Sequence, residues 1–400
     1  MTPSPFPSVR LKPKIDARRI RHGAPWVYAN DLVLDRRTKS VAAGSIVRLE
    51  DPAREFLAWG AFNAASKIAV RVLDRDRGAT IDAAWIKARI STAHALRAHM
   101  FDAPFYRLVH AEADGLPGVV IDRFGDVAVF QPNAAWADAM QDAFVEALLT
   151  DIGIKTVILN GTGRARALEG LDDIRRVVAG PEPSAPIQVP MNGATYMADV
   201  MGGQKTGLFY DQRPNHAIAQ RLSSGGRVLD VFSHVGGFGL AALAGGANAV
   251  LAIDGSADAL SLAQSGAEAM GVAERFETRK SDAFETMQAL ITEGAQFDVV
   301  ICDPPAFAPA KQSLEAGLRA YERVARLGAS LVADGGYLGL CSCSHAADIS
   351  KFRNACMRGI GRAGRSAQIL HTGFAGPDHP THPSLAESGY LKALFMRLTG

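Results

Sequence analysis

The stretch Arg227-Val-Leu-Asp-Val-Phe-Ser-His-Val-Gly-Gly-Phe-Gly239 decides the fold of the C-terminal part of this chain. Its first residues, RVLDVF, form a short apolar run that is typical of a buried strand, and this strand is expected to end near Asp230. The loop SHVGGFG follows and leads into a helix expected near Leu240 to Ala244. Glycines let a loop approach a ligand closely, and a helix N-terminus favours negative or polar groups. The stretch therefore predicts a strand, a ligand-binding loop and a helix.

Similar apolar runs recur downstream. The strand candidates are RVLDVF, AVLAID, FETRK, FDVVICD and YLGLCSC, separated by segments of helical period or turn composition. Such alternation predicts an α/β domain of the Rossmann-like, doubly wound type with a parallel sheet, which we expect at residues 191–400. Ligands bind outside the carboxyl ends of the strands in these sheets, so the residues that follow each strand are the site candidates.

Two domains are expected before this one. Residues 1–77 show apolar residues at period two and predict a small β-rich domain. Residues 78–190 predict a central α+β domain with a hairpin in YRLVHAEADGLPGVVIDRFGDVAVFQ and a second helix near 135–150. The proline-rich segment PEPSAPIQVP predicts a linker into the last domain. The first helix of the central domain, near 83–100, is expected to face inward at Ile86, Ile90, Ala93 and Leu96.

The composition is that of a globular protein. Of the 400 residues 48% are hydrophobic and 21% are charged, which argues against disorder, and no apolar run is long enough to span a bilayer. The N-terminus lacks the apolar segment of a signal peptide, so a cytoplasmic location without membrane association is expected. Four cysteines in this length do not predict a disulfide framework. The sequence leaves the oligomeric state open, with a homodimer as one candidate.

The positive charge is concentrated at the N-terminus. Residues 1–75 contain 14 Lys or Arg against 7 Asp or Glu, whereas the whole chain has a net charge of only +2. RNA phosphates are one target for such a cluster, since each neutralised phosphate releases counterions; a solvated basic face is an equally good interpretation. The candidate RNA-binding residues are Lys12, Lys14, Arg18, Arg19 and Arg21.

Acidic residues at successive strand ends indicate a nucleoside cofactor. Asp254 ends the second strand, where a carboxylate can accept both ribose hydroxyls, and Asp282 follows the third, where it can receive an adenine amine. The dinucleotide fingerprint GxGxxG is absent, so S-adenosylmethionine fits better than NAD. Helix capping or surface exposure is the better explanation for each carboxylate alone, but the ordered series favours a cofactor.

The fourth and fifth strands end in an acid and a thiol. Asp303 opens the segment DPPAF, and Cys343 lies in CSCSH at 341–345. In the usual strand order these strands are neighbours, so both residues are expected to flank one substrate. The C5 carbon of cytosine is too electron-poor to attack a methyl group directly, so a thiolate must first add to C6 while a group at N3 protonates or hydrogen-bonds the ring. Cys343 is the candidate nucleophile and Asp303 the candidate acid, while Cys341 is assigned to packing.

This chemistry needs no metal. A zinc site built on CSCSH would need a second pair of ligands, and the remaining cysteines are Cys302 and Cys356. We therefore expect no metal site.

Short motifs recur along nearly the whole chain: DQR at 211–213, FSHVGGFG at 232–239, DPPAF at 303–307, SCS at 342–344, GLPGVVIDRFGD at 115–126, DHP at 378–380 and YLK at 390–392. Together they resemble the motifs of the PUA-containing cytosine-5 methyltransferases of bacterial large-subunit rRNA. The resemblance implies an RNA-binding PUA domain, a central domain with a prominent hairpin, and a class I methyltransferase domain that uses S-adenosylmethionine. It places the nucleophile at Cys343; the position of Cys341 is commonly aromatic in the family.

The resemblance also implies a cofactor face and a substrate loop. The cofactor face comprises Gln212, Asp230, Ser233, Gly236, Gly237 and Phe238, joined by Asp254 and Asp282. The substrate loop comprises Pro304, Pro305 and Phe307.

This chain departs from the family pattern at two places. Ala306 stands where many relatives have Lys, and NGTGRARALEGL at 160–171 lacks a common Ser and Asp while retaining Arg166 and Glu169-Gly170-Leu171. Two alternatives stay open: an rRNA methyltransferase of the same fold acting at guanine N7 or N2, which needs no thiol, and a non-catalytic RNA-binding ribosome assembly factor.

Overall fold

The computed structural model of the chain describes residues 6–203 and 206–400. It divides into two compact units. The first extends to Ser184 and includes Asp378–Ala386, and the second comprises Ala185–Pro377 and Glu387–Gly400. In the described ranges no helix is both long and apolar enough to cross a membrane. The division into three domains at residues 77 and 190 stays a prediction.

The N-terminal part of the first unit is built around one sheet. Its elements are β1 (Ser8–Arg10), α1 (Arg18–Arg21), β2 (Trp26–Tyr28), α2 (Arg36–Lys39), β3 (Ser45–Glu50), β4 (Phe56–Phe62) and β5 (Ile68–Asp74). The strand order is β1-β3-β4-β5-β2, and β3, β4 and β5 pair antiparallel. Val47, Leu49, Phe62 and Val70 are buried in one apolar cluster; burial alternates along β3 as predicted, whereas β4 and β5 carry buried residues on both faces.

The central part forms a second sheet with helices. Its elements are α3 (Ala83–Met100), β6 (Phe105–His110), β7 (Val119–Phe124), β8 (Val127–Pro132), α4 (Ala135–Ala139), α5 (Gln141–Asp151), β9 (Thr156–Gly161), α6 (Arg164–Ala167) and β10 (Ile174–Ala179). The strand order is β10-β9-β8-β7-β6, and β7 and β8 form the expected hairpin through Gly125. Gly125 has φ of 68°, a left-handed conformation that glycine adopts at little cost.

The inward face of α3 differs from the sequence prediction at its last position. Ile86, Ile90 and Ala93 are buried, but Leu96 is 45% exposed and Arg97 is fully buried. The Arg97 guanidinium donates to both carboxylate oxygens of Asp114, at 2.6 and 2.8 Å, and to the backbone carbonyl of Asp378. Because these hydrogen bonds and the ion pair with Asp114 compensate its charge, Arg97 can be buried on the inward face of α3.

Two of the residues retained in the segment 160–171 are structural within the first unit. Arg166 is buried and donates to Asp138 at 2.7 Å. The buried Glu169 accepts hydrogen bonds from Asn63, Ser66 and Arg71 on the N-terminal sheet part. These contacts explain both residues without a role in catalysis.

The second unit contains the expected parallel sheet. Its elements are β11 (Ile187–Met191), β12 (Ala194–Ala198), α7 (Arg213–Leu222), β13 (Arg227–Val231), α8 (Gly237–Ala244), β14 (Ala249–Asp254), α9 (Ala257–Ala269), β15 (Phe276–Lys280), α10 (Ala283–Thr292), β16 (Phe297–Cys302), α11 (Leu314–Leu331), β17 (Val332–Ser342), α12 (Ile349–Arg362), β18 (Ser366–Gly373) and β19 (Lys392–Thr399). The strand order is β15-β14-β13-β16-β17-β19-β18. The first five strands in this order run parallel to one another, and β19 runs antiparallel to its neighbours β17 and β18. This confirms the Rossmann-like α/β fold. The linker prediction is wrong in part, because residues 187–190 belong to β11, which pairs with β12.

The sheet register brings the candidate site together. Val231 pairs with Cys302 and Cys302 pairs with Leu340, so β13, β16 and β17 end at the same edge. Asp303 and Cys343 therefore follow neighbouring strand ends, as predicted. Strand β19 runs the other way and places Lys392 opposite Ser342.

Candidate active site

The glycine-rich loop between β13 and α8 has a strained backbone. Phe232 and His234, neither of them glycine, have φ of 63° and 50°, and Gly236 has φ of 78°. Left-handed conformations of non-glycine residues cost free energy and persist only when neighbouring structure enforces them. A Cβ on Gly237 would lie 2.8 Å from Nε2 of His216, so only glycine fits there without a shift. The loop is thus held close to α7, with the N-terminus of α8 facing the carboxyl edge of the sheet.

Asp230 and Ser233, at the start of this loop, each have a buried side-chain atom without a hydrogen-bond partner among the described residues. Asp230 is fully buried; its Oδ2 accepts a hydrogen bond from the Gly239 amide at 2.7 Å, but its Oδ1 has no partner, and neither does Ser233 Oγ. Burial raises the pKa of Asp230 to about 7, and the charge of Asp254 acts in the same direction. Buried polar groups are nearly always satisfied, so these two atoms fit a polar cofactor.

Asp254 and Asp282 lie at the strand ends where the sequence predicts them. Asp254 accepts backbone hydrogen bonds from His234, at 2.9 Å, and from Ser256, at 2.8 Å. Asp282 is exposed and caps α10 by accepting from the Glu285 amide at 3.0 Å. Each carboxylate oxygen accepts more than one hydrogen bond, so both side chains keep capacity for a ribose or an adenine in addition to these local roles.

Gln212 connects the start of α7 to Asp303. Its Nε2 donates to Asp303 Oδ2 at 2.9 Å, and its Oε1 accepts from Asn215 Nδ2 at 2.7 Å. Gln212 and Asn215 are buried, while Asp303 is half-buried. The amide of Gln212 is therefore fixed with its NH₂ group toward the carboxylate. Asn215 is a supporting residue that no sequence pattern indicates.

The loop at residues 303–307, which we call the double-proline loop, packs against aromatic rings through Phe307. Pro304 is buried and Pro305 is exposed. The Phe307 ring lies 5.1 Å from Tyr321 and 6.2 Å from Phe284, centroid to centroid. The loop is thus anchored at Phe307 and open at Pro305, which suits a loop that contacts a substrate.

The four cysteines have different environments. Cys302, Cys341 and Cys356 are buried, whereas Cys343 is partly exposed. Burial raises the pKa of each of the three buried thiols, and nearby Asp303 raises that of Cys341 further. Such thiols stay protonated and inaccessible at neutral pH. Strand β17 ends at Ser342, so Cys341 lies within the strand and Cys343 lies in the segment that follows it.

A buried hydrogen-bond network holds the turn that carries Cys343. Ser342 Oγ donates to the Tyr321 hydroxyl at 2.9 Å, and the Tyr321 hydroxyl and Ser344 Oγ lie 2.7 Å apart. Ser344 Oγ also accepts from the Ala308 amide at 2.9 Å, which ties the turn to the double-proline loop. The serines on either side of Cys343 are fully buried, so the thiol is presented by a fixed backbone.

Lys392 supplies a positive charge at this turn. Its Nζ donates to the carbonyl of Ser344 at 2.6 Å and to that of Tyr390 at 2.7 Å, and the side chain is buried. Burial lowers the pKa of Lys392 to about 8, while the charges of Cys343 and Asp348 oppose this shift. Lys392 belongs to the YLK motif, but no sequence pattern indicates this role.

The predicted RNA-binding cations are exposed, but three of them have carboxylate partners. Arg18 pairs with Asp16 at 3.0 Å, Arg19 with Asp31 at 4.0 Å, and Arg21 with Asp51 at 2.8 Å. Lys12 donates to the carbonyl of Asn30, and Lys14 is exposed with φ of 75°. Much of the charge in this cluster is therefore locally neutralised.

Comparison with known families assigns both ends of the chain. A family model described as a PUA-like domain matches residues 9–75. A second, described as an S-adenosylmethionine-dependent methyltransferase, matches residues 172–397 and so covers the predicted cofactor and catalytic residues.

Relatives of known name match along nearly the full length. The ribosomal RNA large subunit methyltransferase I of Photobacterium profundum is 35% identical over 379 residues, covering 94% of this chain and 95% of the relative. The ribosomal RNA large subunit methyltransferase of Deinococcus radiodurans is 35% identical over 408 residues, covering 99% and 98%. A solved structure from Streptococcus mutans, described as a candidate S-adenosylmethionine-dependent methyltransferase, shares the fold with a TM-score of 0.82 at 18% identity, covering 98% of this chain and 100% of that chain. The chain therefore belongs to the S-adenosylmethionine-dependent methyltransferase family, carries an N-terminal PUA-like domain, and uses S-adenosylmethionine as its cofactor.

Proposed function

We propose that this protein methylates C5 of a cytosine in large-subunit rRNA through a covalent bond between Cys343 and C6 of the base. The observation that carries the proposal is the contrast among the four thiols: Cys343 alone is partly exposed, on a turn at the carboxyl edge of the sheet. The names of the relatives support rRNA as the substrate. The match to a PUA-like domain supports RNA binding by residues 9–75.

The residues of the cofactor face fit a polar nucleoside cofactor. Asp230 and Ser233 offer the unsatisfied buried atoms, Asp254 would hold the ribose, and Asp282 would receive the adenine amine. Gln212, Gly236, Gly237 and Phe238 complete this face. When bound, S-adenosylmethionine supplies an electrophilic methyl group.

The chain's own residues prepare the cytosine ring. The Cys343 sulfur forms a bond to C6, and the electron pair of the C5–C6 double bond becomes available at C5. Asp303, oriented by Gln212, protonates or hydrogen-bonds N3 as this charge develops. Once C5 carries the methyl group, a base removes the C5 proton, the double bond re-forms, the sulfur leaves C6 as a thiolate, and a proton donated to N3 returns to Asp303. Pro304, Pro305 and Phe307 hold the loop against which the base is placed.

Nucleoside mass spectrometry tests this proposal. The protein is incubated with labelled S-adenosylmethionine and unmodified large-subunit rRNA, and the labelled nucleoside is identified after digestion. We expect the label in 5-methylcytidine. Label in 7-methylguanosine or N2-methylguanosine would support the guanine alternative instead, and RNA binding with no transfer of label would support the assembly-factor alternative.

Lys392 is expected to favour the thiolate of Cys343. An opposite charge near a thiol typically shifts its titration by about 1 to 3 pH units toward the charged form. Lys392 is in its charged ammonium form below its pKa of about 8 and loses this charge above it. It can therefore favour the Cys343 thiolate at neutral pH. In Lys392→Met, the midpoint of the pH profile for alkylation of Cys343 by iodoacetamide should rise by about 1 unit or more.

Mass spectrometry of the alkylated peptide measures this profile at Cys343. The Tyr321 hydroxyl is a second titratable group at this turn, and it is present in both the unaltered protein and Lys392→Met. Lys311→Met, which removes an exposed lysine, serves as the control and should leave the profile unchanged. An unshifted midpoint in a folded Lys392→Met variant that still binds S-adenosylmethionine would assign Lys392 to structure alone.

A further inference from the structure

Helices α11 and α12 carry a group of exposed arginines that the proposed reaction does not use. Arg319, Arg323 and Arg326 lie on α11, and Arg358 and Arg362 lie on α12; we call these five residues the arginine surface. Four of them, all but Arg358, line a groove of about 240 Å³ together with Glu322. The question is which ligand would need so many guanidinium groups in one place.

Most of the charge on this surface is not neutralised by the protein. Within residues 6–203 and 206–400, no carboxylate lies within 4.0 Å of the guanidinium nitrogens of Arg319, Arg323 or Arg326. Arg358 and Arg362 share a single partner, Glu322, which Arg358 contacts at 2.9 Å. Among the described residues, these five guanidinium groups therefore have one carboxylate within 4.0 Å, that of Glu322.

The arginines are also held in order. Arg319, Arg323 and Arg326 have the spacing i, i+4, i+7 and so form one row on α11, about 10 Å long at 1.5 Å per residue. Arg323 lies over the Phe284 ring at 4.5 Å from its centroid. Glu322 is only 9% exposed and fixes the side chains of Arg358 and Arg362. The row is longer than the axial spacing of about 3.4 Å between phosphates in one strand of a DNA duplex, so it can contact more than one phosphate.

Phosphate is the group that such a surface recognises. Guanidinium groups bind phosphate oxygens through two parallel hydrogen bonds, and unpaired arginines need no exchange of partner to do so. The N-terminal basic cluster is different, because Arg18, Arg19 and Arg21 are already paired with aspartates. Resting on the proposed function, which supplies an RNA substrate, we propose that the arginine surface binds backbone phosphates of that RNA.

The salt dependence of RNA binding tests this proposal. Each phosphate contact contributes about 0.7 to 0.9 to the slope of log affinity against log salt concentration. The variant Arg319→Gln/Arg323→Gln/Arg326→Gln should lose about 2 to 3 from this slope and bind about 100-fold more weakly at ~0.1 M salt. Fluorescence anisotropy of a labelled, unmodified large-subunit rRNA fragment between about 50 and 300 mM KCl measures both quantities.

A second triple variant is matched in charge and in structural unit. Arg221→Gln/Arg227→Gln/Arg275→Gln removes the same number of positive charges next to the starts of β13 and β15, at the amino-terminal edge of the sheet. This second variant should change the slope by less than about 1, because it alters only the general electrostatic attraction to RNA and removes no phosphate contact. Calorimetric binding of S-adenosylmethionine should be the same for both variants and confirms that they are folded.

The outcomes separate this inference from the proposed function. Equal losses in the two triple variants would mean that only net charge matters, and would overturn the arginine surface as a contact. Formation of 5-methylcytidine together with unchanged RNA affinity of the first variant would leave the proposed function standing and overturn the inference. Absence of salt-dependent RNA binding by the unaltered protein would overturn both.

Discussion

Replacing Cys343 by alanine is expected to reduce methyl transfer to RNA by about 10⁴-fold or more, since loss of a covalent nucleophile removes the step on which later steps depend. Binding of S-adenosylmethionine should be unchanged, because Cys343 follows β17, whereas most of the cofactor face lies at the ends of β13, β14 and β15. Transfer of labelled methyl groups to rRNA measures the first quantity and calorimetry measures the second.

Cys341→Ala is the matched control. This thiol is two residues away, is buried, and has its pKa raised by burial and by Asp303. Its replacement removes packing in the core and should lower the melting temperature while leaving the rate within a few-fold of wild type. Full activity of Cys343→Ala together with an inactive but folded Cys341→Ala would exchange the roles of the two cysteines.

The Rossmann-like part of the fold was predictable because its signal is local. The inner parallel strands are buried on both faces and appear in the sequence as short apolar runs, such as FDVVIC at β16, whereas the edge strand β15, FETRK, is buried only at Phe276. The residues that follow these runs necessarily lie at one edge of the sheet. Asp254, Asp282 and Asp303 could therefore be identified as site candidates from their position after a strand alone.

Other features depend on contacts between distant segments. Arg97 was missed as an inward residue of α3 because an arginine is normally exposed, and its burial depends on Asp114 and on Asp378, which is 281 residues away in the sequence. Lys392 acquires its place beside Cys343 only through the antiparallel pairing of β19 with β17. No periodicity within either segment indicates such pairings.

The network around Cys343 illustrates the same limit. The SCS motif indicated a thiol, but the partners of its serines come from Tyr321 on α11 and from the amide of Ala308. The candidate reactive atom is therefore visible in the sequence, but the structure that holds it is not. Hydrogen bonds between side chains of separate elements require the folded arrangement to be known.

Asp303→Asn is expected to lower the turnover number by about 10² to 10⁴-fold, the range typical for loss of a general acid or base. The asparagine has the same shape, and its side-chain oxygen can still accept the hydrogen bond that Gln212 Nε2 now donates to Asp303 at 2.9 Å. It carries no charge and cannot supply a proton to N3. The chain from Asn215 through Gln212 should therefore stay in place, so cofactor affinity should change little.

Asp298→Asn provides the control on the same strand. Asp298 lies near the opposite end of β16, where its carboxylate accepts a hydrogen bond from the Arg227 amide at 2.7 Å. The same chemical change there should leave the turnover number unaltered. Comparable losses in both variants would point to disturbance of the strand and not to chemistry at the base.

The pattern of kinetic constants distinguishes the two possible roles of Asp303. A group that acts only as the ring is attacked lowers the turnover number and the specificity constant together, whereas a group that merely holds the base raises KM at constant turnover number. We expect the first pattern for Asp303→Asn. The second pattern would reassign Asp303 to binding of the base. Cys343 would then add to C6 without Asp303 as the acid at N3, and the proton donor would have to be another group on the double-proline loop.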